Sequence, residues 1–231
     1  MKSKHRISTW LLALTFLVGA GILLIAFTET PAIKHLGKKE YAEITADKIT
    51  KAAEVERQNR QQSDNFNYAK TNQLSPITVV DYEIRSLVGQ PTNYHPAGRL
   101  MIPAVNLYLP IGIGVSNAIL VRGAGTLKPD QKMGEGNYAL AGHYMTNTKI
   151  LFSPLKRVKK GAKIIVTDLR NVYTYRTVSN RVINKNNVGV IDDLPGRKLI
   201  TLITCASSRW NEPKRIVVQG ELQMVQKYTK K

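Results

Sequence analysis

The stretch ITLITCASSRW, residues 200–210, is the part of the sequence from which the fold can be worked out. Residues 200–204 are all apolar or β-branched, which is typical of a buried β-strand. Cys205 stands at the end of this strand and is the only cysteine among 231 residues, so the chain cannot form an internal disulfide. The thiol is therefore inert, paired between chains, or reactive.

Short apolar runs separated by Gly, Pro and Asn surround this strand from Pro76 onward, as expected of many short strands. The runs predicted as strands are 77–84, 98–103, 104–111, 117–123, 137–143, 162–168, 172–183, 198–204 and 215–225. Only residues 150–158 suit a short helix, and Pro154 limits its length. This spacing predicts an all-β domain, either a closed barrel or a sandwich.

The N-terminus carries a candidate membrane span. Residues 9–27 contain no charge and follow a basic tail, residues 1–8. As a helix this segment is roughly 28 Å long, which matches the hydrocarbon thickness of a bilayer and exceeds the usual core of a signal peptide. We predict an uncleaved transmembrane signal-anchor with its tail in the cytoplasm and all later residues outside the cell. A cleaved signal and a buried core helix are the alternatives.

Residues 28–75 are polar, of mixed charge, and rich in residues that favour helix. Their apolar residues form only a thin stripe: Tyr41, Ile44, Ile49 and Val55. We predict an extracellular, partly helical and solvated stalk that joins the membrane to a domain at 76–231. The alternative is a helix that packs on this domain.

Charge and motifs narrow the classes of function. The chain has 34 Lys and Arg against 16 Asp and Glu, a net charge of +18. Together with the predicted anchor, this charge suits an anionic membrane and cell-wall surface rather than nucleic acid. The glycine pairs within 112–125 and 132–138 lack the lysine–serine ending of a phosphate loop. Four histidines, one cysteine and no HExxH motif predict no metal site.

A reactive thiolate needs a base or a cation beside it. His143 is the last residue of the predicted strand at 137–143, just as Cys205 stands at the end of its strand. Both side chains would therefore lie at strand ends. The other histidines are less suitable: His5 precedes the anchor, His35 lies in the stalk, and His95 lies in a polar loop next to a proline. A surface histidine without a catalytic role is the alternative for His143.

Acyl chemistry at a cysteine also needs hydrogen-bond donors where an oxyanion develops, and arginine supplies a permanently charged fork of donors. Arg215 begins the strand that follows Cys205, and antiparallel pairing of the two strands would bring Arg215 to face the thiol. Arg209 lies in the connecting loop, and Lys214 should point to the opposite face. A solvated arginine is the alternative for Arg215.

These residues also carry a family resemblance. The segments LAGH at 140–143, TLITC at 201–205 and RIVVQGEL at 215–222 resemble the three signature motifs of the sortases, in the same order. The resemblance extends over residues 76–231. The sequence has no Asp-Pro-aromatic lid motif before the core strands, and in this it resembles class A, the housekeeping sortases of Gram-positive bacteria. It implies a closed eight-stranded β-barrel with short helices, preceded by the transmembrane helix.

The resemblance implies a transpeptidase. Cys205 would attack the Thr–Gly carbonyl of an LPXTG-like signal on a secreted protein, and His143 would act as general acid and then general base. Arg215 would bind the substrate backbone or the oxyanion. An amine of the peptidoglycan precursor, of the lipid II type, would then resolve the thioacyl enzyme.

The resemblance also suggests how the substrate is held. Thr204 would flank the oxyanion site, and Ala141 and Ile203 would line the peptide groove, unless these strand residues merely pack.

Three further expectations concern the cofactor, an alternative function and the acceptor. Some sortases bind calcium through acidic loop residues, but those of this chain do not align with such a site and we expect no cofactor: Asp130, Glu135, Asp192 and Asp193. The alternative function is a membrane-tethered, basic module that binds the cell wall, with Cys205 a small core residue. Hydrolysis in place of transpeptidation would differ only in the acceptor.

Overall fold

The computed structural model describes residues 10, 13–16, 31–58, 66, 74, 76–88 and 94–229. The predicted anchor at 9–27 lies largely outside the described residues. Among the residues that are described, no helix has the length and apolar character needed to cross a membrane.

Eight strands close into a barrel, which confirms the predicted fold class for the domain. The strands are β1 (Pro96–Ile102), β2 (Leu107–Gly112), β3 (Ala124–Thr126), β4 (Asn137–Ala141), β5 (Lys163–Thr167), β6 (Asn171–Asn184), β7 (Leu199–Cys205) and β8 (Lys214–Lys227). Their order around the barrel is β1-β2-β3-β4-β7-β8-β6-β5. Strand β7 lies between β4, to which it is parallel, and β8, to which it is antiparallel.

The two faces of β7 are both buried, which explains its nearly continuous apolar sequence. Ile200 and Leu202 point into the main core of the barrel. Ile203 belongs to a second cluster on the other face, with Ala141 of β4 and Val217 of β8. Because side chains alternate along a strand, Cys205 shares the face of Ile203.

Two of the predicted strands are wrong. Residues 77–84 lie in helix α3 (Pro76–Leu87), which begins at a proline, a favoured first helical residue. Residues 117–120 form the single turn of α4 (Asn117–Leu120), whose last three residues are buried. A short buried helix and a buried strand have the same apolar run, so local sequence cannot separate them. The three-residue strand β3 was not predicted.

The solvated stalk is also corrected, because the N-terminal helices pack on the barrel. Residues 31–43 form helix α1, and α2 spans Ala46–Gln58. Ile33 and Leu36 of α1 are almost fully buried and belong to the main core cluster. The backbone of Gly37 lies so close to the barrel that an added Cβ would be 2.6 Å from the carbonyl oxygen of Arg122. Docking therefore depends on Ile33 and Leu36, which precede the predicted apolar stripe; within that stripe Ile44 is buried and Val55 is exposed.

Candidate active site

Cys205 and Arg215 form the last residue pair of the antiparallel ladder between β7 and β8. Directly opposite residues of such a pair project to the same face, with Cβ atoms about 4.5–5.5 Å apart. The predicted pairing of these strands is therefore confirmed. Cys205 is only partly buried, so the thiol lies where solvent or a substrate has access to it.

His143 reaches the same rim of the barrel from the other side of β7. The parallel ladder between β4 and β7 ends at the pair Ala141 and Ile203, and the N–H of Gly142 still donates to the carbonyl of Ile203 at 3.1 Å. His143 and Cys205 each lie two residues beyond that last pair. The register of the two strands thus places the backbone of His143 at the same end of the sheet as that of Cys205, which comes 62 positions later in the chain.

The imidazole of His143 lies in an apolar environment. The residue is 6% exposed, and burial lowers its pKa to about 4, because desolvation penalises the charged ring. Its Nε2 is buried and has no hydrogen-bond partner among the described residues. His143 is therefore neutral at pH 7 and has a ring nitrogen that no described group engages.

Arg215 is held by the loop that joins β7 to β8. Its Nη1 donates to the carbonyl oxygen of Glu212 at 2.5 Å and to that of Lys214 at 3.1 Å. The carboxylate of Glu212 accepts hydrogen bonds from the Ser207 hydroxyl and the Lys214 N–H, and the Ser207 bond is the main reason why the pKa of Glu212 is lowered. Arg209, in the same loop, is exposed.

The predicted groove residues do not share one environment. Ala141 and Ile203 lie together in the second apolar cluster, on the Cys205 face of the sheet, where Val190 and Ile191 pack against that cluster. Thr204 is fully buried, and its hydroxyl has no partner among the described residues. Alternation along β7 directs the Thr204 side chain toward the barrel interior, so any contact with an oxyanion would come from its backbone.

A polar network on the Cys205 face was missed by the sequence analysis. Thr201 donates to the Asn137 side chain at 2.7 Å and accepts from Gln219 at 3.1 Å. Asn137 in turn donates to the carbonyls of Val190 and Asp192. These bonds hold the loop before β7 on the Cys205 face of the sheet. The available signal was that polar Asn137, Thr201 and Gln219 stand in phase with Ala141, Cys205 and Arg215 on apolar strands.

Two of the four acidic loop residues pair with lysines. A carboxylate oxygen of Asp193 lies 2.7 Å from the Lys128 ammonium and accepts the Asn137 N–H, and the Lys128 bond is the main cause of its lowered pKa. Glu135 pairs with Lys132 at 3.6 Å. In the described part of the chain, no group of three or more His, Cys, Asp or Glu residues could hold a metal ion. A lysine beside Asp193 is a poor fit for calcium.

A thiol, an imidazole and a guanidinium at one rim of a closed β-barrel are groups of the kinds that can serve as a nucleophile, a base and an oxyanion donor. These are the parts that cysteine-dependent acyl transfer requires.

Known proteins place the chain in a family of this class. The family model described as the sortase domain matches residues 100–223. Sortase A of Listeria monocytogenes is 35% identical over 215 residues, covering 91% of this chain and 90% of that protein. Sortase A of Bacillus anthracis is 43% identical over 125 residues, covering 54% of this chain and 59% of that protein. The solved structure of the Listeria sortase A superposes with a TM-score of 0.57 at 42% identity, covering 58% of this chain and 92% of that chain.

The chain belongs to the sortase family of cysteine transpeptidases, and the relatives support class A. The resemblance predicted from three short motifs is thereby confirmed. The roles of individual residues stay predictions.

Proposed function

We propose that this sortase cleaves an LPXTG-like signal between Thr and Gly and transfers the threonyl end to an amine of the peptidoglycan precursor. The observation that carries this proposal is the rim shared by Cys205, Arg215 and His143. The lone cysteine makes Cys205 the only thiol that could form the thioacyl enzyme.

In the first half-reaction, the sulfur of Cys205 attacks the threonyl carbonyl carbon. His143 would take the thiol proton as the sulfur attacks, because its Nε2 has no partner among the described residues. The resulting imidazolium then gives this proton to the leaving glycine amine as the C–N bond breaks. The thioacyl bond remains on Cys205, and His143 returns to its neutral form.

Arg215 is suited to bind the oxygen on which negative charge develops. Its Nη1 is anchored to two carbonyls of the preceding loop, which restricts how far the guanidinium can move. Guanidinium N–H groups stabilise an oxyanion or a substrate carbonyl through charge-assisted hydrogen bonds.

In the second half-reaction the nitrogen of an incoming amine attacks the thioester carbonyl, and a new amide bond forms as the C–S bond breaks. The amine gives a proton to His143, which passes it to the departing sulfur, so that the Cys205 thiol and the neutral imidazole are restored. The acceptor is a lipid II-type precursor, which lies at the extracellular face of the cell membrane. An anchor at residues 9–27 would hold the barrel near both substrates, and the net charge of +18 favours this anionic surface.

The test uses the full chain in detergent micelles with a fluorogenic LPXTG peptide. We expect Cys205→Ala to abolish cleavage, and mass spectrometry of the wild-type chain to locate the threonyl adduct on Cys205. Cleavage that survives in Cys205→Ala would exclude the mechanism. A glycine-based amine should yield a ligated peptide; its absence, with only the hydrolysed product, would indicate a hydrolase.

A further inference from the structure

A cavity of about 210 Å³ lies between helix α1 and the barrel, and Cys205, His143 and Arg215 do not line it. Its wall is mainly apolar, formed by Ile33, Leu107, Leu109, Ile150, Leu151 and Pro154. The close approach of Gly37 to the barrel closes one side. An apolar wall of this kind suits part of a hydrocarbon chain.

The charges around the cavity are of one sign. Lys34, Lys38 and Lys149 line it and are exposed, and none of its lining residues is acidic. Within the described ranges, none of these ammonium groups has a carboxylate partner. Three ammonium groups that have no carboxylate partner among the described residues, beside an apolar wall, favour a ligand with an anionic head and an apolar tail.

The buried side of the cavity carries an ion pair and adds no net charge. Arg122 lines the cavity and is fully buried, and its Nε lies 3.1 Å from a carboxylate oxygen of Glu40. Counting this pair as neutral leaves the three lysines as the net charge of the site. Burial raises the pKa of Glu40 despite the opposing effect of Arg122.

The position of the cavity along the chain indicates the source of the ligand. The described part of α1 begins at residue 31, four residues after the predicted span ends at Phe27. Four residues reach at most about 14 Å, and Lys34 and Lys38 are one helical turn apart on one side of α1. If the span anchors the chain, these lysines lie at the depth of lipid headgroups.

We propose that this cavity binds one anionic phospholipid of the membrane, with the phosphate against Lys34, Lys38 and Lys149 and part of an acyl chain on the apolar wall. This inference rests on the membrane anchoring in the proposed function, but it does not depend on the chemistry at Cys205. The bound lipid would fix how the barrel stands on the membrane.

Native mass spectrometry of the full chain, released from detergent micelles, tests the proposal. The probes are dihexanoylphosphatidylglycerol, dihexanoylphosphatidylcholine and glycerol phosphate. We expect phosphatidylglycerol to bind, and the triple variant Lys34→Gln, Lys38→Gln, Lys149→Gln to bind it at least about tenfold more weakly, since each lysine contributes to the attraction. The matched control changes three exposed lysines outside the cavity, Lys159, Lys160 and Lys163, to Gln and should bind as the wild type does.

Other outcomes would overturn the proposal. Equal weakening in both triple variants would indicate diffuse charge, and equal binding of phosphatidylcholine would indicate a site without charge selection. Equal binding of glycerol phosphate would mean that the apolar wall contributes nothing. Wild-type chain in the same micelles is also assayed with the LPXTG peptide: cleavage without selective lipid binding refutes only this inference, and selective binding without cleavage refutes only the proposed function.

Discussion

Cys205 and Arg215 are the last residues paired between β7 and β8, so the strand that carries the thiol ends where the strand that carries the guanidinium begins. The pairing fixes the backbone positions of the two residues within the sheet, and carbonyls of the connecting segment hold the guanidinium. His143 reaches the same rim from β4, on the opposite side of β7. The candidate site thus draws on three neighbouring strands of the barrel, with His143 two residues beyond the end of β4.

Replacing Arg215 with Ala should lower kcat/KM for the LPXTG peptide by about 10²–10³-fold, the usual effect of removing an oxyanion donor. Arg209→Ala is the matched control, because Arg209 is an exposed arginine in the same loop, and it should leave kcat/KM close to the wild-type value. A larger loss from Arg209→Ala than from Arg215→Ala would show that the oxyanion partner was assigned to the wrong residue.

His143 should make the fold sensitive to acid. Its folded pKa of about 4 lies below the unfolded value of about 6.5, so the unfolded chain binds more protons between these pH values. Stability is complete above pH 6.5 and falls as the pH decreases toward 4, by roughly 2–3 kcal/mol at pH 4.5 from this residue alone.

Urea unfolding of the wild type and of His143→Gln at pH 7 and pH 4.5 measures this contribution. The comparison uses the change in unfolding free energy between the two pH values, so a constant cost of the substitution cancels. We expect the wild type to lose more stability than His143→Gln. Equal losses would mean that the imidazole is not buried in its neutral form.

Calcium should not be required. The Lys128 ammonium is bonded to Asp193, so a divalent cation would have to displace an existing positive charge from that carboxylate. The rate of peptide cleavage should be the same in EGTA as with added calcium. A rate that rises with calcium and falls again on chelation would refute this prediction.

Gly142 separates β4 from His143, and an added Cβ would lie 2.6 Å from the ring of Phe152. Phe152 is fully buried and its N–H donates to the carbonyl of His143, so the ring cannot move without disturbing the histidine. Gly142→Ala should reduce stability by about 1–3 kcal/mol and lower kcat.

Gly189→Ala is the control for Gly142→Ala, because its added Cβ would meet only the end of the Asp192 side chain, at 3.2 Å. Thermal unfolding and peptide cleavage should change little in this variant. A fully active Gly142→Ala would show that the contact between Phe152 and the His143 backbone does not position the imidazole.

Arg122→Ala should reduce the free energy of unfolding more than Arg197→Ala does. Arg122 is fully buried against Glu40, and removing one partner of a buried ion pair costs roughly 3–5 kcal/mol because the other charge is left uncompensated. Arg197→Ala breaks the exposed pair with Glu221 and should cost about 0–1 kcal/mol. Chemical denaturation of both variants decides the point, and similar costs would contradict the prediction.

The sequence by itself determined the family and predicted much of the barrel. A single cysteine at a strand end, a histidine at another and an arginine at the start of the next strand identified the three candidate groups. Strands β7 and β8 were predicted because their apolar, β-branched runs are long and bounded by turn residues. The family was predicted from three motifs that occur in the family's order. Each motif alone would be weak evidence for the family, but their combination is specific.

Only the tertiary structure decided which surfaces meet. Residues 77–84 look like a strand locally, but docking of α3 beside α1 makes them helical; His35 of α1 bonds Glu83 of α3 at 2.6 Å. The network of Asn137, Thr201 and Gln219 joins residues far apart in the chain. The low pKa of His143 comes from burial by the whole fold. These properties depend on contacts between distant segments, and local propensity carries no information about them.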